Sequence, residues 1–238
     1  MLVAGSYTWG NYRHQSDICH AYQILIKGGV PATNIITFGY DDIANYSGNP
    51  LKGHVYNKKQ TTAPFNDVYA GCKIDYKGAD VTVKNYVAVL KGDSASVGGR
   101  PVLKSTSNDN VFLDFSDHGS TGLIAFPHEY MYANTLIDAI NFMYNNHMYG
   151  RLTYYMEACE AGSMFTSLAA SIKAYALTAA NDHESSYAYY CPPNDDLVGT
   201  THIGSCLGDE FSIRWMEDTE TSDTSKETLG AQFTKVKT

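Results

Sequence analysis

Nowhere in these 238 residues is there an uninterrupted apolar run of 18 or more, so no membrane-spanning helix is expected. Cations are scarce too: 17 Lys and Arg stand against 25 Asp and Glu, a formal net charge of -8. Such a chain is not a general nucleic-acid binder, because phosphate contacts need clustered Lys and Arg. Internal repeats, low-complexity tracts and a recognisable linker are lacking, so residues 1–238 read as a single domain. The opening Met1-Leu2-Val3-Ala4-Gly5 has no basic start and no long apolar stretch, and no signal peptide is read there. It reads as a strand met part-way, and a trimmed or matured segment of a longer precursor is the expectation.

What is present is enough to fold. Hydrophobic residues make up 44% and charged residues 18%, a globular balance at a length that suits one α/β domain. The acidic pI of about 5.4 suits work below neutral pH. The cysteine count, five, is odd. Cys191 and Cys206 flank a loop containing Pro, Gly and Asp, so one disulfide between them and three free thiols is the simplest reading. That bridge closes 206 − 191 = 15 positions, worth roughly 3 kcal/mol in the chain-entropy account. Ordinary free thiols in a reducing cell are the alternative. Asn45-Tyr46-Ser47 matches an N-glycosylation acceptor, with Asn45 as the candidate.

Strands and helices alternate along the chain. Leu2–Ala4, Asn34–Tyr40, Val111–Phe115, Leu152–Met156 and Tyr175–Ala180 read as strands, with Leu123–Phe126 a small extension. Ile18, Ala21, Tyr22 and Leu25 recur at helical spacing before a Gly28-Gly29 stop. Val83–Leu90 reads as a helix, as do segments around Leu136, Ile140, Met143 and Tyr144, around Phe211, Trp215 and Met216, and around Leu229, Phe233 and Val236. Residues 44–80 show little periodicity and read as a long loop with at most a short strand. The alternation predicts an α/β fold with a mainly parallel central sheet flanked by helices and joined by right-handed crossovers.

Reactive groups in such sheets gather past the carboxyl ends of the strands. His118 and Cys159 both fall there, 159 − 118 = 41 residues apart with one helix between. A thiolate is a nucleophile and an imidazole can take its proton. Gly119 lets a backbone N–H approach a substrate, and with the Cys159 N–H it could form an oxyanion hole. A Cys and a His do not by themselves define an enzyme, since most free cysteines are small buried hydrophobes. His14 and His20 sit six residues apart on different helical faces, so no zinc site is expected, and no cofactor is called for. His54, His147, His183 and His202 read as surface residues.

The motifs say more. His118-Gly119-Ser120 and Glu157-Ala158-Cys159-Glu160-Ala161-Gly162-Ser163-Met164 resemble the two active-site motifs of the legumains, the asparaginyl endopeptidases. Asn11-Tyr12-Arg13-His14-Gln15, Cys19-His20-Ala21-Tyr22-Gln23, Tyr40-Asp41-Asp42-Ile43-Ala44, Thr178-Ala179-Ala180-Asn181, Glu184-Ser185-Ser186-Tyr187 and Trp215-Met216-Glu217-Asp218 resemble that family in the same order. The resemblance implies the caspase-like α/β fold and cleavage after Asn, with some cleavage after Asp at lower pH. It implies His118 and Cys159 as the catalytic pair, Asn11 to orient the His, and Gly119 in the oxyanion hole. It implies Arg13, His14, Glu157, Ser185, Ser186 and Asp209 as the pocket for the residue before the scissile bond (S1). An Asn carboxamide has one acceptor and two donor hydrogens, which Arg13 on one side and Glu157 and Asp209 on the other could meet.

Family resemblance carries further expectations. Members are zymogens with a C-terminal helical prodomain, which this chain, ending near Lys235-Val236-Lys237-Thr238, is expected to lack. Partners would be peptides or proteins with Asn before the cut, the chain's own prodomain in the precursor, and cystatin-type inhibitors, in an acidic lysosome- or vacuole-like compartment or outside the cell. The Cys191–Cys206 segment resembles the proline loop of plant-type members, and Asp117 matches a family Asp that can cyclise to a succinimide. His128-Glu129-Tyr130 departs from the wall expected beyond the scissile bond. The alternatives are a peptide ligase of the same fold, the transamidase that attaches lipid anchors, and a non-catalytic binding protein.

Overall fold

The computed structural model describes residues 1–237. In chain order the elements are β1 (Leu2–Ala4), α1 (Tyr12–Lys27), β2 (Thr37–Gly39), β3 (Tyr76–Lys77), α2 (Val83–Leu90), β4 (Asn110–Ser116), β5 (Gly119–Ser120), β6 (Leu123–Phe126) and β7 (Glu129–Tyr132). They continue with α3 (Ala133–Asn145), β8 (Arg151–Glu157), β9 (Ala174–Thr178), β10 (Ala188–Tyr189), β11 (Leu197–Val198), β12 (Thr201–His202), β13 (Gly208–Asp209), α4 (Glu210–Thr221) and α5 (Leu229–Val236).

Six strands form the central sheet in the order β3-β2-β1-β4-β8-β9, and every pairing in it is parallel. A strand buried on both faces sends alternate side chains to opposite layers. Val3, Leu113, Phe115, Tyr154 and Met156 accordingly join a core with Val89 and Leu90 of α2 and Leu136, Ile140 and Met143 of α3. Leu2, Ala4 and Tyr155 face the other way, toward Ile18, Ala21 and Tyr22 of α1 and Phe211, Trp215 and Met216 of α4. Full burial of a side chain such as Ile18 stabilises by roughly 1.5–3 kcal/mol. The hairpin unit β5-β6-β7 is antiparallel and rides on the α2 and α3 side.

Helix α1 ends as its sequence implies. The Gly28 N–H reaches the Ile24 carbonyl at 2.8 Å, Gly29 takes a positive φ of 89°, and the Val30 N–H closes on Leu25 at 2.9 Å. The expected strand over Asn34–Tyr40 is shorter, because Ala32–Asn34 winds into a tight 3-10 turn after Pro31. The one expected from Tyr175 stops at Thr178, where the Thr178 hydroxyl bonds the Ala180 carbonyl at 2.8 Å and bends the chain. No helix among the described residues is long and apolar enough to cross a membrane.

The cysteine expectation needs correction. Cys191 and Cys206 are bridged, but so are Cys19 and Cys72, which leaves Cys159 as the free thiol among the described residues. Cys19 lies on the face of α1 that the 44–80 segment covers, within a third cluster containing Ile43, Val55 and Val68. The fold of that segment brings Cys72 to it, with the two Cα atoms 5.4 Å apart.

Candidate active site

The long ladder between β4 and β8 runs in register from Asn110 opposite Arg151 to Ser116 opposite Glu157. Two residues beyond each end lie His118 and Cys159, so one ladder delivers both to the same rim. The loops that follow are cross-tied. The Asp117 N–H bonds the Glu157 carbonyl at 3.0 Å, the Gly122 N–H bonds the Ser163 hydroxyl at 2.7 Å, and the Thr121 hydroxyl donates to the Glu160 carboxylate. A Cβ at Gly119 would stand 2.5 Å from the Cys159 carbonyl oxygen, which is how closely the two loops pass.

Asn11 orients the imidazole. Its amide nitrogen donates to the Tyr7 carbonyl at 3.0 Å, which turns Oδ1 toward His118 Nε2 at 2.8 Å. Nε2 therefore carries the hydrogen and Nδ1 is left to accept a proton. Cys159 is partly exposed, its Sγ 3.7 Å from the Ser186 hydroxyl and 3.8 Å from the Ser186 carbonyl. The next residue, Glu160, adopts a left-handed φ of 53° and opens the turn Ala161–Phe165, so the thiol sits at a sharp bend. Gly162 permits that bend, since a Cβ there would meet the backbone of Asn181 at 2.9 Å.

Beside this pair lies a buried polar cluster built on the first turns of α1. Arg13 Nε donates to Asp209 Oδ1 at 2.8 Å. His14 Nδ1 pairs with the Ser6 hydroxyl at 2.6 Å and lies 3.2 Å from Asp117 Oδ1, while Nε2 is 3.5 Å from Asp209 Oδ2. Asp17 accepts from the Asn57 amide at 2.7 Å and the Ser116 hydroxyl at 3.0 Å. Glu157 Oε2 accepts from the Ser212 N–H at 2.8 Å and its hydroxyl at 3.0 Å, but Oε1 has no partner. Asp209 Oδ2 and both Asp117 oxygens also lack hydrogen bonds; the nearby His14 Nδ1 is engaged with Ser6.

Burial dominates the electrostatics. It raises Glu157 and Asp17 well above the usual carboxylate range, and the charge of nearby Asp209 adds to the rise in both. Asp117 is pushed up to about 7, again by burial. Burial also lowers the His14 imidazole to about 3, so it stays neutral.

A cleft of about 600 Å³ opens beside Cys159, lined among others by Glu157, Asn181, Ser185, Ser186 and Tyr187. Three of the six residues expected in S1 therefore line it. Arg13, His14 and Asp209 do not; they form the adjoining cluster, joined through the Arg13–Asp209 ion pair. Asn45 is exposed in the turn after β2, as a glycan acceptor must be. His54, His147, His183 and His202 are exposed, as read from the sequence. His14 has a different histidine neighbour from the one weighed there: the ligand atoms of His14, Asp117 and His118 lie within 4.8 Å of one another. One nitrogen of each imidazole is already engaged, His118 Nε2 by Asn11 and His14 Nδ1 by Ser6. Ser6, Asp17 and Ser212 were not singled out from the sequence. For Asp17 the available signal was its spacing from Arg13 and His14, which puts the three on one helical face.

Fold and site together set a free thiol and an imidazole at one rim of a caspase-like α/β sheet. The chain belongs to the Peptidase C13 family, whose match covers residues 1–238. It is 47% identical over 240 residues to legumain of Bos taurus, covering all of this chain and 53% of that protein. It is 46% identical over 241 residues to the vacuolar-processing enzyme delta-isozyme of Arabidopsis thaliana, covering 51% of that protein. To the hemoglobinase of Schistosoma japonicum it is 44% identical over 238 residues, covering 53% of that protein. The chain thus spans about half the length of the relatives it matches, and the expected family resemblance is borne out.

Proposed function

We propose that this chain is the catalytic unit of a cysteine endopeptidase that cleaves peptide bonds after Asn. The observation that supports the reading is the shared β4–β8 register, whose last pair stands two residues before both His118 and Cys159, together with the Asn11 contact on His118 Nε2. His118 Nδ1 takes the thiol proton and Sγ adds to the scissile carbonyl. The N–H groups of Gly119 and Cys159 receive the developing oxyanion, and the imidazolium protonates the leaving amine. Water then hydrolyses the thioester on Cys159.

The Asn carboxamide enters the cleft at Ser185, Ser186 and Glu157, with Arg13, His14 and Asp209 fixing the charge behind it. Glu157 Oε1 is the unpartnered carboxyl oxygen left to meet the substrate carboxamide. Acid would also protonate a substrate Asp and make it more amide-like, so cleavage after Asp should grow as pH falls. Raised carboxylates at Glu157, Asp17 and Asp117 favour an acidic working compartment. An N-glycan on Asn45, a C-terminal prodomain in the precursor and cystatin-type inhibitors belong to the same reading. The test is hydrolysis of matched Asn, Asp and Gln peptides between about pH 4 and about pH 7, with Cys159→Ala as control. Glu157→Gln should erode the preference for Asn; if selectivity is unchanged, the pocket is wrongly assigned.

A further inference from the structure

We propose that Tyr7, Tyr40 and His128 form a subsite for an aromatic side chain of the substrate on the leaving side of the scissile bond. This rests on the reading of His118 and Cys159 as the reacting pair.

The three rings come from three separate segments. Tyr7 follows β1, Tyr40 follows β2, and His128 lies in the turn between β6 and β7. Tyr7 and Tyr40 stack with centroids 4.9 Å apart and 29° between planes. His128 packs against both, 5.1 Å from Tyr7 and 6.2 Å from Tyr40. None of the three belongs to a core cluster among the described residues; the tyrosines are half-buried and the imidazole is exposed. A packed set of rings that solvent still reaches, with the His128 imidazole exposed, is what an incoming aromatic side chain stacks on.

The platform is fastened to the catalytic histidine from two directions. The Tyr7 carbonyl holds the Asn11 amide, and the Ala125 N–H of β6 bonds the His118 carbonyl at 2.9 Å. Between Tyr7 and Asn11 stands Thr8, at φ 75° and ψ 159°, a region other residues leave to glycine. Its N–H is clamped by Asp42 at 2.7 Å. The surrounding contacts hold a strained backbone at this bend, as happens at binding and catalytic sites. The β6–β7 turn is pinned as well, by the Val83 N–H on Glu129 at 2.9 Å.

Position gives the side. The Arg13, His14 and Asp209 cluster belongs to the face of the sheet covered by α1 and α4. The hairpin carrying His128 lies on the opposite face, against α2 and α3. With the acyl half of a substrate in the Ser185–Ser186 cleft, the leaving half runs across His118 toward the three rings.

The test uses Asn peptides that differ only in the first two residues after Asn. Peptides with Phe or Tyr there should show kcat/KM roughly three- to tenfold above the Ala peptide. His128→Ala, checked to be folded by its thermal transition, should remove that preference while leaving the Ala peptide unchanged. Tyr40→Leu, read the same way, should do likewise. A flat profile in the unaltered protein, or a preference that survives both substitutions, overturns the subsite while leaving cleavage after Asn intact. Failure to cleave any Asn peptide would overturn the catalytic reading and the subsite with it.

Discussion

Gly119→Ala gives a sharp check on the proposed catalytic geometry. A Cβ at this position would stand 2.5 Å from the Cys159 carbonyl oxygen, 3.0 Å from Ala158 Cβ and 3.3 Å from the Leu123 carbonyl oxygen. Ordinary contact begins near 3.4 Å, so the Cys159 carbonyl must retreat by about 0.9 Å. Backbone surrounds the site and no flexible side chain can swing aside. The displacement therefore falls on the separation of the His118 and Cys159 loops. A misplacement of about 1 Å can cost on the order of a hundredfold in rate. We expect kcat on an Asn substrate to fall by roughly ten- to a hundredfold. Overpacking should also cost about 1–3 kcal/mol of stability, read by chemical denaturation. A folded variant with kcat within about twofold of the unaltered protein would refute the arrangement, since the loops could not then be the reacting pair at this spacing.

Asn11→Ala should lower kcat by on the order of tenfold or more with little change in KM, because the imidazole loses its orienting acceptor at 2.8 Å; steady-state kinetics on an Asn peptide checks this. Cys72→Ser should destabilise the chain by up to about 4 kcal/mol in denaturant unfolding, since the Cys19–Cys72 bridge closes 53 positions. Thermal stability should fall as pH rises from about 5 to about 8. Asp117, Asp17 and Glu157 have folded pKa values raised above their unfolded ones by burial, so their contribution is complete below about 4 and is lost as pH rises, on passing about 7 for Asp117. Asp114, raised to about 7 by burial, acts with them, while His14, lowered to about 3, and the Met1 amino group, lowered to about 5, work the opposite way as pH falls, two groups against four; a Tm that climbs over the stated range contradicts this account.

Much of the scaffold was legible in the residues. The helix Val83–Leu90 and the strand Leu123–Phe126 have their expected bounds, because apolar spacing and local turn chemistry decide them. The rim position of His118 and Cys159 followed from strand ends alone. Long-range closure was not legible. Cys72 pairs with Cys19 only once the 44–80 segment has folded over α1, and nothing periodic marks that event. Strand Glu129–Tyr132 was missed because Tyr130 and Tyr132 face solvent while Met131 alone turns inward. The polarity of the run His14-Gln15-Ser16-Asp17 gives no sign that it is buried. Its burial rests on partners as distant as Asn57, Asp117 and Leu207.

The in-register ladder between β4 and β8 has a consequence for how activity can be lost. A slip of one residue would carry His118 past Cys159 by roughly 3.3 Å and turn every core side chain of the strand to the wrong layer. The pairing therefore tolerates no half-misaligned form that still looks native. The proposed nucleophile and base follow directly on the hydrogen bonds that knit the middle of the molecule, so on that reading a loss of turnover should accompany any loosening of the innermost strands.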